Sequence, residues 1–155
     1  MKLTRRLVAG LLVGTFALLA AHSSGAAAGA TLSGSGFIKA PGISAEFVVL
    51  LDDAHPLRFD YWDYSTDLPR VFSLDDSAQV DCLGQLFGGQ TVRLEGYGLD
   101  SSSPNQTVSL QLFMVDGTDG PDQLSIKARG QDGRVLYFLK MRDLDRGELS
   151  VSCSG

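Results

Sequence analysis

The sequence is poor in the residues that most chemistry requires. Beyond residue 30 it holds one histidine, His55, set before Pro56 in a predicted turn. A Ser–His–Asp arrangement would need that side chain, yet no G-x-S-x-G elbow or other nucleophile context accompanies it. One histidine and two cysteines with no C-x-x-C spacing do not make a zinc site. The glycines at Gly34 and Gly36 are not followed by the rest of a Walker or dinucleotide pattern. No pair of carboxylates stands out for glycosidase chemistry. There is no basic run either. Three of the 13 basic residues and none of the 18 acids lie in the first thirty positions, which leaves ten against eighteen and a net charge of −8. That balance disfavours nucleic acid or an anionic membrane as partner and suits solubility and, at most, cation binding.

What is present begins with an export signal. Lys2, Arg5 and Arg6 form a basic start, Leu7–Ala21 is an apolar run, and small residues offer A-x-A-like cleavage after Ala28 or Ala30. The run falls short of the roughly 20 residues a spanning helix needs. The expectation is an exported chain (extracellular, cell-surface or periplasmic) whose leader is cut near residues 28–30, with a single domain over 31–155 that does not span a membrane. Thr4-Arg5-Arg6-Leu7-Val8 also partly matches a twin-arginine signal, so the route stays open. The first cysteine is Cys82, too far on for lipid anchoring. In an exported chain Cys82 and Cys153 are expected to form one disulfide. Closing a loop of about 70 residues restricts the unfolded chain by roughly 4 kcal/mol.

The remaining pattern is one of short strands. Val108, Leu110, Leu112 and Met114 alternate onto one face, as do Leu124, Ile126 and Ala128 after an acidic, glycine-rich turn. Similar runs cover Thr31–Ile38, Ile43–Leu51, Leu57–Tyr64, Arg70–Leu74, Ala78–Phe87, Gln90–Leu99, Arg134–Met141 and Glu148–Cys153. Gly88-Gly89 suits a hairpin. Turn signals every 8–12 residues and the lack of an amphipathic helix predict an all-β antiparallel meander of about nine short strands, as a barrel or a sandwich. Gly34-x-Gly36 and Gly96-x-Gly98 leave strand faces bare for close packing or bending. Asn105-Gln106-Thr107 fits the glycosylation pattern, but the export signal looks bacterial.

Two stretches offer a ligand site. In Leu57–Tyr64, Asp60, Trp62 and Tyr64 share one strand face. Exposed, the aromatic pair would stack on a sugar ring while carboxylates hold its hydroxyls. The same aromatics equally suit a core. In the turn after Met114, Asp116, Asp119 and Asp122 supply the hard oxygens that calcium takes, although their three-residue spacing is not that of an EF-hand. Without a metal they would cap local N–H groups. No other cofactor is implied.

The chain also resembles a family of small exported bacterial all-β domains of uncharacterised function. The resemblance rests on Gly34-x-Gly36-x-Ile38, Phe47, Val80-Asp81-Cys82-Leu83, Gly96-x-Gly98, and Phe113-Met114-Val115-Asp116 leading to Gly120-Pro121-Asp122-x-Leu124-x-Ile126. It implies fold and compartment and carries no catalytic residues. The tail departs from the pattern, because Asp145-Arg146-Gly147-Glu148 supplies one glycine where a glycine-rich last hairpin is expected. Three functional classes follow. The leading one is a non-catalytic secreted or surface β-domain, structural or adhesive. The second binds a carbohydrate or small ligand through Trp62 and Tyr64 or a barrel cavity, and the third is a hydrolase in which carboxylates or His55 converge.

Overall fold

The computed structural model describes residues 29–153, apart from 75, 104 and 105. Residues 1–28, which carry the expected leader and its expected cut after Ala28, and Asn105 of the glycosylation-like triplet, lie outside the described residues. Ten strands follow one another: β1 (Ala30–Ala40), β2 (Ile43–Asp52), β3 (His55–Asp63), β4 (Arg70–Leu74), β5 (Gln79–Leu86), β6 (Gly89–Asp100), β7 (Thr107–Gly117), β8 (Gln123–Arg129), β9 (Val135–Asp143) and β10 (Arg146–Cys153). No helix among the described residues is long and apolar enough to cross a membrane.

All ten strands join one antiparallel sheet in the order β10-β1-β2-β3-β4-β6-β7-β8-β9, curled into a half-barrel. β4 and β5 share one edge of β6: β4 lies along Gly98–Asp100 and β5 along Gly89–Glu95. The expected meander therefore runs from β1 to β4 and again from β5 to β9, and is interrupted between β4 and β5, which share β6 and do not pair with each other. Strand alternation fills the concave side with Phe47 and Val49 of β2, Phe59 and Tyr61 of β3, Phe72 of β4, Leu94 of β6, Leu110, Leu112 and Met114 of β7, and Leu124 and Ile126 of β8. These are all fully buried or nearly so, and the hydrophobic effect on this one face is the main force holding the curl. Both G-x-G motifs sit where neighbours come close. A Cβ on Gly36 would stand 2.7 Å from the Phe47 ring, and one on Gly98 2.1 Å from the Ser73 carbonyl oxygen.

Two turns differ from their sequence reading. His55 opens β3 instead of lying in the break before it. Asp52 makes this possible by accepting hydrogen bonds from the Ala54 and His55 backbone N–H groups, both at 2.8 Å, which tightens the β2–β3 turn to Asp53-Ala54. The β5–β6 turn uses Phe87-Gly88 and not Gly88-Gly89. Both residues have positive φ, 55° and 91°, the geometry that a two-residue hairpin favours.

The largest departure is at the C-terminus. β9 and β10 are joined by only Leu144 and Asp145, yet they form no hairpin, because β10 pairs with β1 from Ala30↔Cys153 to Phe37↔Arg146. β10 approaches β6 and β7 without pairing with either. Its far edge is closed by side chains. The Leu149 N–H donates to Asp122 Oδ2 at 2.6 Å and the Val151 N–H to Asp116 Oδ2 at 3.0 Å. Asp122 Oδ1 accepts from the Gly117 N–H at 2.9 Å and so ties the same carboxylate to its own turn. The expected disulfide is present between Cys82 of β5 and Cys153 of β10, with Cα atoms 6.1 Å apart.

Candidate functional site

Asp60 and Trp62 point to the convex side of the sheet, opposite Phe59 and Tyr61, and Tyr64 follows them just past the end of β3. Antiparallel register then sets Trp62 in a row that crosses five strands: Arg146 of β10, Phe37 of β1, Glu46 of β2, Trp62 of β3 and Val71 of β4. The row borders a groove of about 390 Å³ lined by Ser35, Phe37, Glu46, Val48, Trp62 and Arg146. Gly36 faces Gly147 directly across β1 and β10, so that pair carries no Cβ and thins the groove wall above Phe47. A Cβ on Gly147 would meet the Ser35 carbonyl oxygen at 2.1 Å.

The groove combines aromatic faces with charge of both signs. Trp62 is half-buried and Tyr64 is 42% exposed, so neither ring belongs to the core. The Arg146 guanidinium stands 5.0 Å from the Phe37 ring centre, a cation–π distance that orients both side chains along the wall. The Tyr64 hydroxyl donates to Glu46 Oε2 at 3.4 Å. Partial burial and the Glu46 charge raise that phenol above its ordinary value of 10. Asp60 lies one row along and is already engaged, accepting from Ser73 Oγ at 2.7 Å and Arg58 Nε at 2.9 Å. Of the three residues read from the sequence, Trp62 thus lines the groove, Tyr64 bonds to its Glu46, and Asp60 buttresses the strands beside it.

Sequence reasoning missed Glu46, Phe37 and Arg146. Glu46 and Phe37 were reachable, because the two-residue turn at Pro41-Gly42 forces Ala40 opposite Ile43 and hence Phe37 opposite Glu46. Arg146 was not, since nothing local announces that β10 pairs with β1.

The other candidates fare differently. Asp116 and Asp122 are spent on the backbone of β10 and Asp119 is exposed. The described residues contain no cluster of three or more His, Cys, Asp or Glu side chains suited to a metal ion. In this structure the carboxylates of Asp116 and Asp122 act as caps on the edge of β10. Free backbone N–H groups on a terminal strand are strong donors that need acceptors, and two carboxylates satisfy them. His55, the exposed first residue of β3, has its Nδ1 2.8 Å from Asp52.

The concave side also holds a polar network. Tyr137 donates to Asp63 Oδ2 at 2.7 Å, and its oxygen lies 2.7 Å from that of Tyr61. Arg70 bridges to Asp100 at 2.5 Å, donates to the Leu136 carbonyl at 3.1 Å, and stands 4.9 Å from the Phe72 ring centre. Burial pushes both phenols well above 10. Neither serves as a base or nucleophile near neutral pH. Burial opposes ionisation of Asp100, but hydrogen bonds from Arg70 and Ser102 outweigh it and hold the carboxyl below its ordinary 3.8. This network joins β3, β4, β6 and β9 across the interior.

No family model matches the chain, and comparison with characterised proteins and with solved structures likewise finds no match.

Proposed function

We propose that this chain is an exported, non-catalytic β-domain of adhesive type, cut near residues 28–30, which holds a carbohydrate ring against Trp62. The observation that carries the ligand reading is the convex groove of about 390 Å³, where the half-buried Trp62 indole and Phe37 lie beside Glu46 and Arg146. An apolar ring face flanked by hydrogen-bonding groups of both signs matches a sugar, which offers an apolar C–H face and a rim of hydroxyls. Export is supported by the leader pattern and by the Cys82–Cys153 disulfide, a bond that persists in oxidising compartments. The resemblance to small exported bacterial β-domains points the same way. Lack of catalysis is supported by the raised phenols and by His55, which lies exposed with Asp52 as its side-chain partner.

The test is binding of the purified protein to an array of neutral glycans, compared with Trp62→Ala and Glu46→Gln. The expected result is saturable binding that falls roughly tenfold or more in Trp62→Ala, as for loss of a central aromatic anchor. Binding that Trp62→Ala leaves intact, or no neutral glycan bound at all, would overturn the proposal.

A further inference from the structure

The whole-chain charge conceals a local reversal. Of the ten basic residues beyond residue 30, Lys127, Arg129, Arg134, Lys140 and Arg142 fall within 127–142, together with one acid, Asp132. The remaining positions hold five basic residues against seventeen acids. The expectation that the chain lacks a basic patch is therefore corrected. Strand pairing sets β8, with Lys127 and Arg129, beside β9, with Lys140 and Arg142, and Arg134 lies in the connection between them.

These cations differ in pairing from most of the others. Arg58, Arg70 and Arg93 each bridge a carboxylate, Asp60, Asp100 and Asp81 respectively. Among the described residues no salt bridge neutralises Lys127, Arg129, Lys140 or Arg142. Lys127 and Arg129 point to the convex side, since Ile126 and Ala128 between and beside them are buried. Lys127 lies opposite Phe138, its Nζ 6.0 Å from a ring that is 61% exposed. Arg129 falls in a cross-strand row with Ser109 of β7 and Tyr97 of β6. A pocket of about 310 Å³ opens there, lined by Tyr97, Thr107, Ser109, Arg129 and the glycines of the β8–β9 turn. One guanidinium N–H of Arg129 is held by the Gly133 carbonyl at 3.0 Å, which steadies the group while its other donors stay open.

We propose that the convex face of β6–β9 binds a linear acidic polysaccharide, with Tyr97 stacking on a sugar ring, Thr107 and Ser109 meeting hydroxyls, and Arg129 and Lys127 taking carboxylate or sulfate groups. Arg129 and Lys127 are two residues apart on one strand, about 7 Å, a spacing that lets one chain reach both. The charge elsewhere selects the kind of anion. A membrane or a nucleic-acid duplex presents a broad negative surface that would also meet acids beside the stripe, such as Glu95 in the Lys127 cross-strand row. A single narrow polyanion avoids them, because repulsion is screened over about 8 Å at physiological salt. This site is separate from the Trp62 groove on β1–β3 and β10 and does not depend on it.

Calorimetry on the purified protein with polygalacturonate, a sulfated glycan, a neutral glucan and anionic phospholipid vesicles tests this. The expected result is binding to one or both acidic glycans and not to the glucan at this face, weakened as salt is raised. Arg129→Gln and Lys127→Gln should each lower affinity roughly tenfold, the worth of a charge-assisted contact. Trp62→Ala should leave it unchanged. Equal binding by the glutamine variants, loss of binding in Trp62→Ala, tighter binding to vesicles, or no binding to either acidic glycan would each overturn the proposal. The two glycan arms tell a carboxylate preference from a sulfate one.

Discussion

The carboxylates of this molecule work differently in two regions. At the end where β10 crosses, Asp116 and Asp122 face backbone N–H groups that no strand satisfies, and they are consumed in closing the sheet. On the convex face of β1–β4, Glu46 sits on an inner strand between Phe37 of β1 and Trp62 of β3, and its carboxylate makes only a long contact with Tyr64. The two sites look alike as sequence, acidic residues beside turns or aromatics. Whether a carboxylate is left for a ligand depends on whether an unpaired donor lies within reach. The buried pair of Arg70 and Asp100 belongs with the first group, since its charges are spent on one another and on the backbone.

Substitutions can separate the two groups. The largest effect is expected inside. Arg70→Ala leaves Asp100 buried without its partner and should cost about 3–5 kcal/mol in urea unfolding. It should also move acid unfolding. With Arg70 present the Asp100 carboxyl lies below its unfolded value, so its contribution to stability is whole above about pH 4 and is lost as pH falls through the lower folded value. Without Arg70 the carboxyl keeps only its Ser102 hydrogen bonds against burial and so rises from its present position, and the acid midpoint should move to higher pH. Reduction of the Cys82–Cys153 disulfide, which spans a sequence separation of 71, should cost about 4 kcal/mol, read as the difference between oxidised and reduced melts. Asp122→Ala removes two charge-assisted bonds and should cost about 3 kcal/mol, and Asp116→Ala, with one bond to β10, roughly half of that. The convex face gives the smallest effect. Glu46→Gln should change stability by less than about 0.5 kcal/mol while weakening glycan binding. A stability loss there as large as that of Asp122→Ala would erase the distinction between the two regions.

Much of the architecture is legible in the residues. Period-two alternation locates the strands because each buries one face against a single core, and the doubled G-x-G motifs mark close approaches, as at Gly36 and Gly98. What alternation cannot carry is long-range partnership. β10 alternates Leu149, Val151 and Cys153 inward as well as any hairpin strand would, so nothing local says that its neighbour is β1 and not β9. The role of Asp116 and Asp122 follows from that hidden pairing, which is why the acidic turn reads as a metal loop. Trp62 was findable by its residue type and strand face, whereas Arg146 reaches the groove only through β10. The cationic stripe of β8 and β9 is visible as a shift in composition over 127–142, but it disappears in a charge summed over the whole chain.

Trp62 is the one tryptophan in the protein, so intrinsic tryptophan fluorescence reports on the convex groove alone. Titration with the neutral glycans should produce a saturable change in its intensity and a blue shift as the ring loses water. Glycan binding seen by calorimetry with no change in Trp62 emission, or emission indifferent to every glycan, would contradict a sugar site at this groove.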